Sequence, residues 1–273
     1  LVKYPYRPKD YWEDRLSRSM NLEGVGLLGR GIKYNSYLYR SKIRAVEKGL
    51  KTIKQGDLRG KSLLDLGSGI GFWVDYFMKQ GIASCVGVDI TEASIQYLTN
   101  RFLGTNTTFV RSDISDPDLP IRLEQQFDII TAIDVLYHVV SDSMLVRTIG
   151  NINQLTKPQG WLIFTEVLFS PEGFSNQPHV KWRPRTFWER LLTENGFAIR
   201  LQIPVYFFLR KAVSGSRPLR YLVNFIYSQI TSRISEKHFW GDIYLSSLGT
   251  IDQLCISLFA RSTSSYVVFA QKS

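Results

Sequence analysis

The sequence predicts an α/β fold, a largely parallel sheet with helices on both faces, and three observations carry that reading. Residues 62–73 (SLLDLGSGIGFW) pass from a short apolar strand through alternating glycines into a helical pattern with Phe72, Val74, Phe77 and Met78 apolar. Further short apolar runs at 83–89, 107–111, 127–133 and 161–169 are separated by helix-patterned segments, the spacing of βαβ units. The second run ends in Asp89, and the third and fourth are followed closely by Asp113 and Asp134. An acid at the end of the second strand of such a unit stands where a carboxylate reaches ribose hydroxyls.

Taken in order, residues 1–8 read as extended, with prolines at 5 and 8. A helix is expected from Asp10, carrying Tyr11, Trp12, Arg15 and Leu16, and then a loop over 21–31 with four glycines. A longer helix over 36–54 puts Leu38, Tyr39, Ile43, Val46, Leu50 and Ile53 on one side. Its other face carries Lys42, Arg44, Lys48 and Lys51 and reads as a solvated surface. Thr91 is placed to cap the helix after the second strand, with Ser94 and Gln96 outward and Ile95 and Leu98 inward. Ser141 caps a helix over 141–155, and a further helix over 185–195 closes at Gly196. Strands are expected at 197–203 and 265–270. Between them lies an insertion, far longer than an ordinary connection, with helical patterns at 219–234 and 251–260.

The chain has 273 residues, 44% of them apolar, which suits one α/β domain with additions. No apolar run approaches the roughly 18 residues of a membrane span. No secretory signal is visible, and a cytoplasmic location is expected. Cys85 and Cys255 lack metal-ligand spacing and read as buried thiols. The net charge of +10 fits nucleic acid, an anionic membrane surface or an acidic small substrate as partner. The positive charge gathers in the two ends of the chain.

The glycine run reads D-L-G-S-G-I-G, whereas a dinucleotide site favours G-x-G-x-x-G. With Asp89, Asp113 and the D-V-L-Y-H stretch at 134–138, it resembles the class I S-adenosylmethionine (SAM)-dependent methyltransferases. The resemblance implies a Rossmann-like seven-stranded methyltransferase sheet with helices on both faces, its last strand antiparallel between the fifth and sixth. It divides the chain into an N-terminal helical lid (1–57), a SAM-binding core (58–203 with 263–273) and a helical cap inserted between the last two strands (204–262). The cofactor implied is SAM, with no metal. Asp65, Gly67, Ser68, Gly69 and Gly71 form its loop, and Asp65 is expected to orient the glycine turn through backbone N–H groups. Asp89 grips the ribose, a carboxylate with little structural use at that position. Ile90 lies against adenine, Asp113 and Ile114 serve its amino edge, and Ile133 ends the fourth strand beside it. Tyr34 or Arg40, from a segment that lies over the cofactor in relatives, is placed to bind the methionine carboxylate; Tyr11 and Trp12 are further lid residues. Each of these also has a purely structural reading, as a packing, capping or turn residue.

Methyl transfer from a sulfonium needs an aligned nucleophile, water exclusion and, for a hydroxyl or ammonium acceptor, a base. His179 and His138 are the candidates, with His238 in the insertion the remaining histidine. Asp134 is expected as a partner group or as a ligand of the SAM amino group. The expected reaction is O-methylation of a small molecule: a natural-product intermediate, a quinone or a lipid-linked glycan. N- or C-methylation is the alternative. An aromatic cap (Tyr206, Phe207, Phe208, Tyr221, Phe225, Tyr227, Phe239, Trp240) would cover the acceptor, and Arg210, Lys211, Arg217 and Arg220 would suit an acidic, phosphate or nucleotide-linked group on it. Nucleic acid is not expected as a partner, because N/D-P-P-Y/F is absent after the fourth strand. Oligomeric state is left open.

Overall fold

The computed structural model describes residues 6–168, 177–213, 215–233, 240–259 and 263–273. Seven strands, β1 (Ser62–Leu66), β2 (Ser84–Asp89), β3 (Thr107–Arg111), β4 (Phe127–Ala132), β5 (Thr156–Glu166), β6 (Phe197–Pro204) and β7 (Tyr266–Lys272), form one sheet in the order β3-β2-β1-β4-β5-β7-β6. β1 to β5 pair in parallel, and β7 is antiparallel to both β5 and β6. This is the sheet of the class I methyltransferases. β1 has β2 on one side and β4 on the other, so the winding reverses there and opens a crevice at the carboxyl ends of the strands.

The strands are buried on both faces, and their alternate residues feed two separate cores. Leu63, Ile129, Ile163 and Phe269 point to the side of α2 (Gly31–Thr52), α3 (Phe72–Lys79) and α4 (Glu92–Arg101). Leu64, Ile130, Phe164 and Val268 point to the side of α5 (Leu119–Leu123), α6 (Asp142–Leu155) and α7 (Arg185–Glu194). Each fully buried leucine of β1 contributes about 2 kcal/mol through its removal from water. Gly49 lets α2 lie close on β7: a Cβ there would stand 2.0 Å from the Phe269 ring.

Several boundaries differ from expectation. α2 begins at Gly31, held by Asn35, whose amide bonds Leu27 and Gly31 and binds its first turn to the loop before it. β5 begins at Thr156, running through the Pro158–Gly160 segment expected as a turn; its expected end at Phe169 lies outside the described residues. α1 (Pro8–Arg18) starts two residues early, with proline in its first turn. In the insertion, α8 (Arg217–Arg233) matches its pattern, whereas α9 (Trp240–Phe259) is roughly twice the length expected. Asp252 of α9 accepts from the N–H groups of Phe207, Phe208 and Leu209 at 2.7–3.1 Å, tying the insertion to the chain leaving β6.

Lys42 is the main packing surprise. It is 3% exposed, and its ammonium pairs with Asp134 and lies 4.0 Å from the centre of the Tyr39 ring. The expected solvated basic face of α2 therefore begins only at Arg44. Ser94, expected outward, is fully buried because its hydroxyl donates to the Gly69 carbonyl at 2.5 Å.

Candidate active site

A cavity of about 310 Å³ lies at the crevice between β1 and β4. Its floor is the turn after β1, where Gly67, Ser68, Gly69 and Ile70 line it. The turn is wired into β2. The Gly67 and Ser68 N–H groups donate to the Val88 carbonyl at 2.7 and 3.1 Å, and the Gly69 N–H donates to Asp89 Oδ2 at 2.8 Å. Gly69 has φ +53°, and a Cβ there would stand 2.8 Å from Val25. Asp89 Oδ1 also accepts from the Thr91 N–H (3.0 Å) and hydroxyl (2.8 Å), while Thr91 caps α4 through the Ser94 N–H. Asp89 thus does have a structural task, locking the glycine turn to the start of α4. An ionised carboxylate has about four acceptor sites, and one remains for a ligand hydroxyl. Burial pushes this carboxyl up, opposed by those N–H donors.

Asp65 takes none of the loop's N–H groups and does not line the cavity. Its Oδ1 accepts from the Thr131 hydroxyl at 2.6 Å, and burial pushes it up to about 7. Asp65 meets the turn through Ser68, whose hydroxyl donates to its carbonyl at 2.9 Å, while the turn's Gly69 N–H is taken by Asp89. Gly71 is also set back: it stands at φ +72° at the head of α3, where a Cβ would strike Leu98 and Phe102.

Ile90, Asp113, Ile114 and Ile133 line the cavity as expected. Asp113 Oδ1 accepts from Ser115 N and Oγ, both at 2.8 Å, so it shapes its turn and faces the cavity at once. Tyr34 and Arg40 do not reach it. Tyr34 is 1% exposed and donates its hydroxyl to the Leu209 carbonyl, packing α2 onto the insertion. Arg40 is exposed, with its guanidinium over the Tyr37 ring.

The roof comes from Tyr6 and from α1, where Pro8, Trp12 and Leu16 line the cavity. Glu13 fixes this helix in place: its carboxylate accepts from the Glu92 and Ala93 N–H groups at 2.7 and 2.9 Å, the free donors at the start of α4. Of the segment expected as a lid, α1 covers the cavity, whereas α2 packs against the sheet. Of the two residues expected as further lid groups, Trp12 lines this cavity and Tyr11 a neighbouring one.

His138 stands at the far end of the cavity, in the 3-10 turn Leu136–His138. Its Nδ1 lies 2.6 Å from the His179 carbonyl, which can only accept, so Nδ1 carries the proton and Nε2 keeps its lone pair. Trp12 stands edge-on at 4.9 Å. Burial lowers the imidazole to about 4, so it is neutral at pH 7. His179 stacks on Tyr11 at 4.6 Å and lies parallel to His138 at 5.6 Å, but lines only a neighbouring cavity. Burial, then Arg15, lowers its imidazole too.

Asp134 has φ +63°, an uncommon conformation for a residue other than glycine. Its N–H donates to Thr165 Oγ1 at 2.7 Å, and that hydroxyl returns a bond to Oδ1 at 2.9 Å. Burial would raise this carboxyl, but Lys42 and Arg210 outweigh it and hold it below the usual range. Asp134 lines the first cavity and two more behind it, of about 200 and 370 Å³. The expected aromatic cap is mostly elsewhere. Tyr206, Phe207 and Phe208 belong to the core, Tyr221 and Phe225 are exposed, and Tyr227 lines the cavity of about 370 Å³. Phe239 and the Trp240 side chain lie outside the described residues.

A glycine turn after β1, an acid ending β2 and another following β3 are gathered at the reversal point of this sheet, the place where doubly wound sheets bind their ligands. Residues 34–202 match the family model described as "Methyltransferase domain", and the chain belongs to that family. It is 29% identical over 119 residues to a ubiquinone biosynthesis O-methyltransferase of Neisseria meningitidis serogroup C, covering 43% of this chain and 49% of that one. The chain spans about half the length of the curated relatives it matches. Among solved structures, magnesium protoporphyrin IX methyltransferase from Synechocystis PCC 6803 with bound SAM superposes with a TM-score of 0.56 at 17% identity, covering 97% of this chain and 95% of that one. The N-methyltransferase NodS from Bradyrhizobium japonicum WM9, in complex with S-adenosyl-L-homocysteine (SAH), gives 0.57 at 12%, covering 96% and 98%. These two likenesses are of fold.

Proposed function

We propose that this protein is a SAM-dependent methyltransferase that methylates an oxygen of a small, ring-bearing acceptor of the quinone type. One observation carries the reading: the cavity bounded by the glycine turn, Asp89 and Asp113 shares Asp134 with two neighbouring cavities, and His138 with one of them. Its volume and mixed polar and apolar lining suit a nucleoside with a short charged tail. Ile90 and Ile114 offer apolar contact to a flat base, Asp113 an acceptor for an amino group, and Asp89 its remaining lone pair for a ribose hydroxyl. SAM would supply an activated methyl group on a sulfonium.

The chain's own part is to align the acceptor and manage its proton. His138 Nε2 accepts a hydrogen bond from the acceptor hydroxyl and takes its proton as the oxygen bonds to carbon. A neutral imidazole this buried is a weak base, so its first task is orientation. His179 serves through its carbonyl, which fixes the His138 tautomer. Trp12 and Leu16 keep water away from the transfer. The similarity to ubiquinone biosynthesis O-methyltransferases supports the oxygen and the quinone-type ring.

The test is a methyl-transfer assay with labelled SAM and hydroxylated quinone-type acceptors. A methylated product is expected, with kcat reduced about 100-fold in His138→Gln. Absence of transfer to any hydroxylated acceptor, alongside transfer to an amine, would replace the reading. An undiminished kcat in His138→Gln would remove the base.

A further inference from the structure

Behind His138 the two further cavities meet at Asp134, Tyr137 and Arg210. The larger, about 370 Å³, is lined by three cations, Arg30, Arg210 and Lys211, against a single acid, Asp134. That acid is already engaged by Lys42 and by the Thr165 hydroxyl. Arg210 is half-buried at the root of the insertion, directly after the Phe207–Leu209 turn that Asp252 holds. Among the described residues its guanidinium makes no hydrogen bond and no ion pair, although it presents five donors in a planar fork. A guanidinium that faces a cavity with no protein acceptor can take a planar oxyanion through two parallel, charge-assisted bonds. Trp182 and Tyr227 supply flat walls beside it.

We infer that this chamber is an anion subsite in which Arg210 grips a carboxylate or phosphate on the acceptor, at the end of the molecule away from the methylated atom. Arg210 is then a specificity residue: it selects anionic acceptors and fixes how deeply the ring enters toward His138. The inference rests on the methyltransferase reading for the word acceptor, but the subsite itself can be tested without it.

The experiment is calorimetric titration of the full chain with benzoate, phenyl phosphate and neutral benzamide, each with and without SAH. At least one anion is expected to bind tenfold or more tighter than benzamide, and the two anions compared show which oxyanion the fork prefers. Arg210→Gln should abolish the preference and Arg210→Lys retain part of it, with SAH affinity as the check on folding. In the unmutated protein, phenylglyoxal should modify Arg210 and the preferred anion should protect it, read by peptide mass. Equal binding of anion and amide, preference persisting in Arg210→Gln, or modification of Arg210 unaffected by anion would each overturn the subsite. Failure of SAH to bind alongside a clear anion preference would instead strike the cofactor reading and leave the subsite standing.

Discussion

In the cavity at the sheet edge, the acids are wired by donors close to them in the fold: Asp89 by Gly69 and Thr91, Asp113 by Ser115. In the chamber behind it, the charged groups come from Arg30, Lys42, Asp134 and Arg210, far apart in sequence, and among the described residues the Arg210 guanidinium has no hydrogen-bonded acceptor. The first region is finished before any ligand arrives, its geometry set by strand ends and tight turns. The second is assembled by tertiary packing and holds charge in reserve. A shared cofactor calls for the former, and a particular acceptor for the latter.

Removing the wiring should break the first region most. Asp89→Ala frees the Gly69 N–H and the α4 cap together, and SAH affinity by calorimetry should fall at least 100-fold. Unchanged affinity would mean that the turn holds without it. In the second region, Lys42→Met strands the Asp134 carboxylate beside the cavities and should cost about 3 kcal/mol in urea unfolding. The double change with Asp134→Asn should recover most of that loss, whereas additive losses would mean that the two do not act as a pair.

A smaller effect is expected at the roof. Glu13→Gln weakens the charged cap on α4, should cost about 1 kcal/mol, and should speed SAH release several-fold with the fold intact. A further effect is on pH dependence beneath the glycine turn. Burial holds Asp65 at about 7, above its ordinary value. Between that ordinary value and about 7 the folded state keeps a proton that the unfolded chain has lost, so stability falls as pH rises through this window. Asp65→Asn should flatten that slope in unfolding curves taken from pH 4 to 8. An unaltered slope would place the titration elsewhere, with Glu166, held at about 8 by burial, the first alternative.

The same contrast governs what could be read from the sequence. β1 to β4, the glycine turn, Thr91 as a cap and the cavity lining by Asp89, Ile90, Asp113 and Ile114 follow from local patterns, because strand, turn and helix start are neighbours in the chain. Lys42 looked solvated because its partner lies 92 residues away. Tyr34 looked like a ligand residue because nothing local shows that its hydroxyl meets Leu209. His179 and His138 both read as bases from their places after strands, and only the structure shows that His138 lines the first cavity while His179 offers its carbonyl to His138 Nδ1. Arg210 is one of several basic residues of the insertion, and only the three-dimensional structure shows that, among the described residues, its guanidinium has no hydrogen-bonded acceptor.

The most direct test is a crystal structure of the protein grown with SAH. The base is expected between Ile90 and Ile114, the ribose hydroxyls on Asp89, and the sulfur turned toward His138 beneath Trp12. Density for SAH outside this cavity, or a ribose pointing away from Asp89, would contradict the assignment of the glycine turn as the cofactor cradle.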